Sequence, residues 1–419
     1  MTMAGLNSNH QKRLTHTVLL SASARITASA ISLCLATGTL WAQSPPIRIG
    51  VLGDMSGYSM EIGGPGSTLA VRMAIEDHNN KAAGRAIEVL DADMQNKPDL
   101  AAQIARRWYD VDKVDVITDL PNTPVALAVA KLGAETNHIT LVTEAATTDL
   151  TGAQCAPTTV HFADDTNAVA SGTAKALSEQ GMKSWYFLTA DFGFGLSMEA
   201  SARKVIEASG AKVIGSVRHP LAAADFSSFL LQAQASKADV IALANLGSDT
   251  TTAIKQAAEF GISGGPQQVA GLLMLISDIK ALGLNVAKGL WVTESFYWSS
   301  NEKTRAFAQR FAARNSGKMP TKAHAANYAA VTHYLNAVDA AGTTETKAVM
   351  AQMRNLQIDY FGRPAKLRAD GRVIYDLDLY RVKAPEQSKG PYDFYDHIRT
   401  IKAEEAFLPL GAGGCTLGQ

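Results

Sequence analysis

From Ile47 onward the chain alternates short apolar runs with longer stretches whose apolar residues return every three or four positions, and few folds satisfy that pattern. IRIGVLGD ends on Gly53-Asp54. A glycine-rich loop (Gly63, Gly64, Pro65, Gly66) follows, and Ser67 reads as the N-cap of a helix over TLAVRMAIEDHNN. AIEVLDAD is the next strand, and Pro98 opens a helix whose Ala101, Ile104, Ala105 and Trp108 fall on one face. VDVITD, ITLVTEA and VHFADD continue as strands, with helices expected from about Pro124 and Asn167. The pattern restarts at Trp185 with the strands WYFLTAD, AKVIGSV, DVIALANL, QQVAGLL and GLWVTES. Its helices begin near Ser197, at FSSFLLQAQAS and at TTTAIKQAAEF. Past Asn301 the chain turns helical, then closes on RPAKLRADGRVIYDLDLYRV, where Asp370-Gly371 marks a hairpin turn. Strands alternating with helices imply an α/β protein with parallel sheets covered on both faces.

The first 42 residues do not share this pattern. His10, Lys12, Arg13, His16 and Arg25 make a basic, acid-free start, and Ile26 to Leu40 is an apolar stretch of small residues ending at Leu40-Trp41-Ala42. That is the layout of a cleavable export signal, 1–42, and it points to a periplasmic protein. The stretch is short and Ser/Thr-rich for a membrane span, and Leu33 ahead of Cys34 is not the small residue a lipid attachment site needs. A retained anchor is the competing reading. Once Cys34 leaves with the signal, Cys155 and Cys415 remain, an even pair that reads as one disulfide in an oxidising compartment; two free thiols are the alternative.

Charge is balanced at 39 basic and 39 acidic side chains, so no global field favours nucleic acid or an anionic membrane. The local motifs for catalysis fail one by one. No Gly-Lys-Ser/Thr follows Gly63–Gly66, Asp191-Phe192-Gly193 stands without any other kinase element, and there is neither a Gly-x-Ser-x-Gly elbow nor a zinc-ribbon cysteine spacing. His324 and His333 lie on one helix but too far apart to meet, so each reads as a surface or packed imidazole. No enzyme, cofactor or metal is expected.

The loops after the strands say more. In parallel α/β sheets ligands sit outside the carboxyl ends of strands, at helix N-termini. Leu120-Pro121-Asn122-Thr123 follows VDVITD, and Thr143-Glu144-Ala145-Ala146-Thr147-Thr148 follows ITLV. Hydroxyl and amide groups beside free backbone N–H groups suit a carboxylate. Each stretch alone is equally an ordinary N-cap; two together favour a shared anion site.

IRIGVLGDMSG, Asp91-Ala92-Asp93, PVALAVAKLGAE, LVTEAATTDLTG, TADFGFG and IKQAAEFGI occur in an order and spacing that resembles the periplasmic leucine/isoleucine/valine-type substrate-binding proteins of ABC transporters. A subgroup serving aromatic and other organic acids is similar also in its Cys-x-Pro and its Gly-Gly-Cys end. The resemblance implies a type I clamp: two Rossmann-like lobes joined by three crossovers. The first lobe would be 47–163 with 296–345, the second 164–295 with 346–395, and 396–419 a tail disulfide-tied to the first. It implies a carboxylate held by Asn122 or Thr123 and by Ala145 and Thr147. It also implies a polar contact from Asn245, walls from Tyr58, Phe192, Leu273, Phe296, Tyr297 and Trp298, a monomer, and an inner-membrane ABC permease as partner. The loop where amino-acid-binding relatives hold an ammonium reads Leu272-Leu273-Met274-Leu275, without a carboxylate, so a ligand with a carboxylate head and an apolar body is expected. Asp249 or Glu294 pointing inward would restore an ammonium site. A ligand-sensing clamp and an exported enzyme for aromatic acids are the rival functions.

Overall fold

The computed structural model describes residues 44–418; the expected export signal lies outside them. Strands β1 (Ile47–Gly53), β2 (Lys81–Ala82), β3 (Arg85–Asp93), β4 (Val116–Asp119), β5 (Ile139–Val142) and β6 (Thr159–His161) form one sheet in the order β2-β3-β1-β4-β5-β6. All neighbours are parallel except the antiparallel pair β2–β3. Ile47, Ile49 and Val51 on β1 and Val116 and Ile117 on β4 have no exposure, as near-continuous apolar runs in a covered sheet require. The helices between them are α1 (Gly64–Asp77), α2 (Pro98–Asp110) and α3 (Thr123–Glu135). Ser67 is not the cap of α1. Pro65 suits the first turn because it has no N–H to satisfy, so the helix starts at Gly64. Ser67 Oγ instead donates to Asp119 Oδ1 at 2.9 Å.

Helix α4 (Thr166–Glu179) leads into a second unit built of β7 (Ser184–Ala190), α5 (Gly193–Ala208), β8 (Lys212–His219), α6 (Ser227–Ala235), β9 (Val240–Ala244), α7 (Gly247–Glu259) and β10 (Gln268–Gly271). Its sheet is parallel, in the order β10-β9-β7-β8. Helix α5 begins four residues before the expected Ser197. Short helices α8 (Ile276–Leu282) and α9 (Leu284–Ala287) precede β11 (Trp291–Glu294). Then come α10 (Glu302–Arg314), α11 (Lys322–Ala341) and α12 (Thr346–Asn355), the short strands β12 (Ile358–Tyr360), β13 (Arg363–Leu367) and β14 (Val373–Ile374), β15 (Leu377–Val382), β16 (Tyr395–Ile401) and α13 (Ala403–Ala406). Strand β15 pairs antiparallel with both β11 and β16.

The two lobes exchange chain three times: after β6, after β11 and between β14 and β15. Residues 346–374, expected with the second lobe, pack with the first. Val349, Met350 and Met353 on α12 and Ile358 and Leu367 beyond it share one apolar core with β1 and α11. Arg372 also extends the first sheet by bridging to His161 on β6. The hairpin at Asp370-Gly371 is present; Gly371 has φ 85°, and a Cβ there would lie 2.4 Å from the Thr159 carbonyl. Cys155 and Cys415 form a disulfide with a Cα separation of 5.7 Å, which settles the choice against free thiols. His324 and His333 are both packed, their Nε2 atoms 2.8 Å from the carbonyls of Gly63 and Met353.

Candidate ligand-binding cleft

Residues following the strands of both sheets line one cleft. Tyr58 and Ile62 come from the β1–α1 loop, Thr143, Glu144 and Ala146 from the loop after β5, and Phe162 to Asp164 from the first crossover. The facing wall is Phe192 and Phe194 after β7, Leu246 after β9, Leu273 and Leu275 after β10, and Ser295 after β11. Lys322 at the start of α11 closes the hinge end. Counted with its mouth the cleft holds about 590 Å³, the size of a small-molecule site.

Two ionisable groupings lie along it. At the hinge end Lys322 Nζ lies 3.1 Å from Asp164 and 3.4 Å from Glu294 and donates to the Thr293 carbonyl at 3.3 Å. Asp164 also accepts from Tyr375 Oη at 2.9 Å. Burial pushes Glu294 up to about 8 in spite of Lys322. In the other grouping Glu144 and Asp119 both lie against Gly63, and burial raises both carboxyl groups, with Asp54 adding to it. Asp119 Oδ1 accepts from Ser67 and, at 2.9 Å, from Asn327 Nδ2. Burial, then Glu144, Asp54 and Asp249, raises the Tyr58 hydroxyl.

The sequence pattern of the periplasmic binding protein family matches residues 46–391. The chain belongs to that family. A periplasmic binding protein from Burkholderia mallei of known crystal structure is 45% identical, with a TM-score of 0.87, over 89% of this chain and 99% of that one. A branched-chain amino acid ABC transporter periplasmic ligand-binding protein from Burkholderia xenovorans LB400 is 38% identical, with a TM-score of 0.80, over 88% and 99%. The Leu/Ile/Val-binding protein homolog 6 of Brucella suis is 27% identical over 258 residues, 60% of this chain and 64% of its own length. The match therefore spans just under two thirds of that relative.

Within this binding-protein framework the expected site residues divide. Tyr58, Phe192 and Leu273 line the cleft. Ala145 stands behind it: its N–H donates to the Leu120 carbonyl at 3.2 Å, and its own carbonyl lies 2.7 Å from His161 Nε2. Its neighbours Glu144 and Ala146 face the cavity instead. Asn122 caps α3 by accepting from the Val125 N–H at 3.3 Å. Thr123 is buried, and its side chain abuts Gly193 at the head of α5. Thr147 has no exposure, and its Oγ accepts from the Asp149 N–H at 3.3 Å, capping the short turn Thr148–Thr151. Asn245 is committed inward, accepting from Thr250 Oγ at 2.6 Å and lying 3.3 Å from His219 Nε2. Phe296 stacks edge-on against Phe307 and Phe361, and the Trp298 indole donates to the Tyr392 carbonyl at 2.8 Å. Tyr297 donates to that same carbonyl at 2.7 Å. The aromatics after β11 are thus packing and hinge residues rather than cleft walls. Glu144 stood in the quoted loop but was outranked by its hydroxyl neighbours. Lys322, Asp164 and Phe194 had no local sequence signal, because only the fold brings them together.

Proposed function

We propose that this protein is the solute-binding component of an ABC importer and captures a small carboxylate-bearing ligand with an apolar or aromatic body by closure of its two lobes. The observation that carries the reading is the cleft. Apolar side chains from both lobes (Phe162, Phe192, Phe194, Leu273) supply walls for the body, and a few polar side chains, Tyr58, Glu144, Asp164 and Lys322 among them, line it too. Contacts to both walls exist only when the lobes are together, so ligand stabilises the closed form by its differential affinity. The closed form is then the one a permease of the inner membrane reads. The Burkholderia xenovorans relative, named for an ABC transporter, supports the import role. A second reading, capture of an apolar amino acid, is favoured by the names of that relative and of the Brucella suis one, and by Glu144, which offers from the first lobe the carboxyl that Leu272 to Leu275 lack.

A thermal-shift screen of the chain from residue 43, against apolar and aromatic carboxylates with amino acids and sugars as controls, tests this directly. A ligand at a hundred times its dissociation constant adds roughly 2.7 kcal/mol of stability. Carboxylates should raise the melting temperature and sugars should not; stabilisation by sugars alone would contradict the reading.

A further inference from the structure

Two residues of the second lobe, Phe192 and Phe194, line the cleft, and the glycine between them faces elsewhere. Gly193 is the first residue of α5 and does not line the cleft. It lies against the first lobe. A Cβ built on it would be 3.4 Å from Thr123 Cβ and Cγ2 and 3.5 Å from Pro124 Cδ, at the head of α3. The three nearest atoms it would meet thus all belong to the facing lobe. Gly195, two residues on, is held within its own lobe, where a Cβ would lie 2.3 Å from the Ala190 carbonyl. Nor does the backbone ask for glycine at 193, since its φ is not positive. The arrangement recurs at another strand end. Leu246 lines the cleft, and Gly247, the first residue of α7, would bring a Cβ to 3.5 Å from the Tyr58 carbonyl of the first lobe. The lobes also share an apolar cluster, in which Ile62, Ala146 and Ala323 of the first join Phe194, Leu246 and Leu273 of the second.

We propose that Gly193, seated on Thr123 and Pro124, is a specificity-determining residue: it stops lobe closure at the separation that sets how thick a ligand body the cleft accepts. This rests on the clamp reading above and deepens it. Phe192 and Phe194 are the chain neighbours of Gly193, so the backbone that meets the first lobe is the backbone that carries the wall. The contact has room for a methyl group at 193, at ordinary van der Waals distance, and a valine puts two more carbons on that same Cβ. The larger side chain would meet Thr123 before the wall reaches its place opposite Phe162. A thin ligand would then lose one wall, and a thicker one would keep both. Because closure depends on contact with both lobes at once, a residue that never touches the ligand decides which ligand is preferred.

Calorimetric titration with benzoate and cyclohexanecarboxylate tests this, since the two share a head group and a six-membered ring and differ in ring thickness. L-leucine is the third probe. Gly193→Ala should leave the preference between the two carboxylates within about twofold of the wild type, and Gly193→Val should shift it toward cyclohexanecarboxylate by about tenfold. Gly193→Leu, a better helix former, is the second bulky variant and should act in the same direction. Thr123→Ala, combined with Gly193→Val, clears the opposing methyl group and should bring the preference back to within about threefold of the wild type. Thr123 Oγ1 has no hydrogen-bond partner among the described residues, so its removal breaks no bond. Spin labels at Lys131→Cys on α3 and Lys204→Cys on α5, both exposed positions, report the lobe separation with and without each probe. The shortest distance populated should lengthen in both bulky variants and return when Thr123→Ala is added. An unchanged preference, an unchanged shortest distance, or a shift that Thr123→Ala does not relieve overturns the inference and leaves the proposed function standing. Failure of both carboxylates to bind overturns the carboxylate reading instead. The label distances then decide the inference alone, lengthening supporting it and constancy overturning it.

Discussion

A buried ion cluster with one acid too many has a pH signature that a single substitution can isolate. Lys322 meets two carboxyl groups, Asp164 and Glu294, and burial holds Glu294 at about 8, well above its unfolded value near 4.3. Between those two values the unfolded chain gives up this proton and the folded chain keeps it. Glu294 therefore costs stability progressively as pH rises from about 4.5 to about 8, by at most about 1.4 kcal/mol per pH unit. Glu294→Gln removes the titration and leaves Lys322 paired with Asp164. Its stability relative to the wild type should rise steadily from pH 5 to pH 8 in chemical denaturation; a constant offset would mean that Glu294 is ionised in the folded protein. Sequence did not reveal this cluster, since the three residues are far apart in the chain. What sequence did reveal at this scale was residue chemistry without its assignment. Asn122 and Thr147 carry the groups an anion site uses, but the same oxygen that would meet a ligand is the one that caps a helix.

Among elements, the strands were legible almost to the residue because a buried parallel strand is a continuous apolar run; β1, β4, β5 and β9 lie within the stretches expected for them, and β7 starts one residue early, at Ser184. Helix starts were less so. Tertiary partners decided them: Asp119 took Ser67 from the cap of α1, and α5 begins at Gly193, early enough for Phe194 to reach the cleft. The turn after Thr147 makes a specific case. Its side chain caps that turn and has no exposure, so Thr147→Val should lower unfolding stability by about 1 kcal/mol through the lost cap. Thermal unfolding of the ligand-free protein measures it. Unchanged stability together with a tenfold loss of ligand affinity would return Thr147 to direct ligand contact.

For the molecule as a whole, buried polar bonds brace the passages between the lobes. Arg372, with almost no exposure, joins the first and third of them through His161, Ala163 and Asp165, and its guanidinium lies 4.7 Å above the Phe407 ring of the tail. The tail continues to Cys415 and its bond to Cys155, so the C-terminal tail is secured to the first lobe. The disulfide was legible because two cysteines remained. The assignment of 346–374 was not, because a helix and short strands look the same whichever lobe they cover. The lobes therefore join through a braced, largely buried base, with the apolar walls and Glu144 lining the space between them. A crystal structure with the most stabilising carboxylate bound tests that arrangement most directly. The account predicts the ligand body between Phe162 and Leu273, in contact with both walls of the cleft. A ligand seated outside the cleft would contradict it.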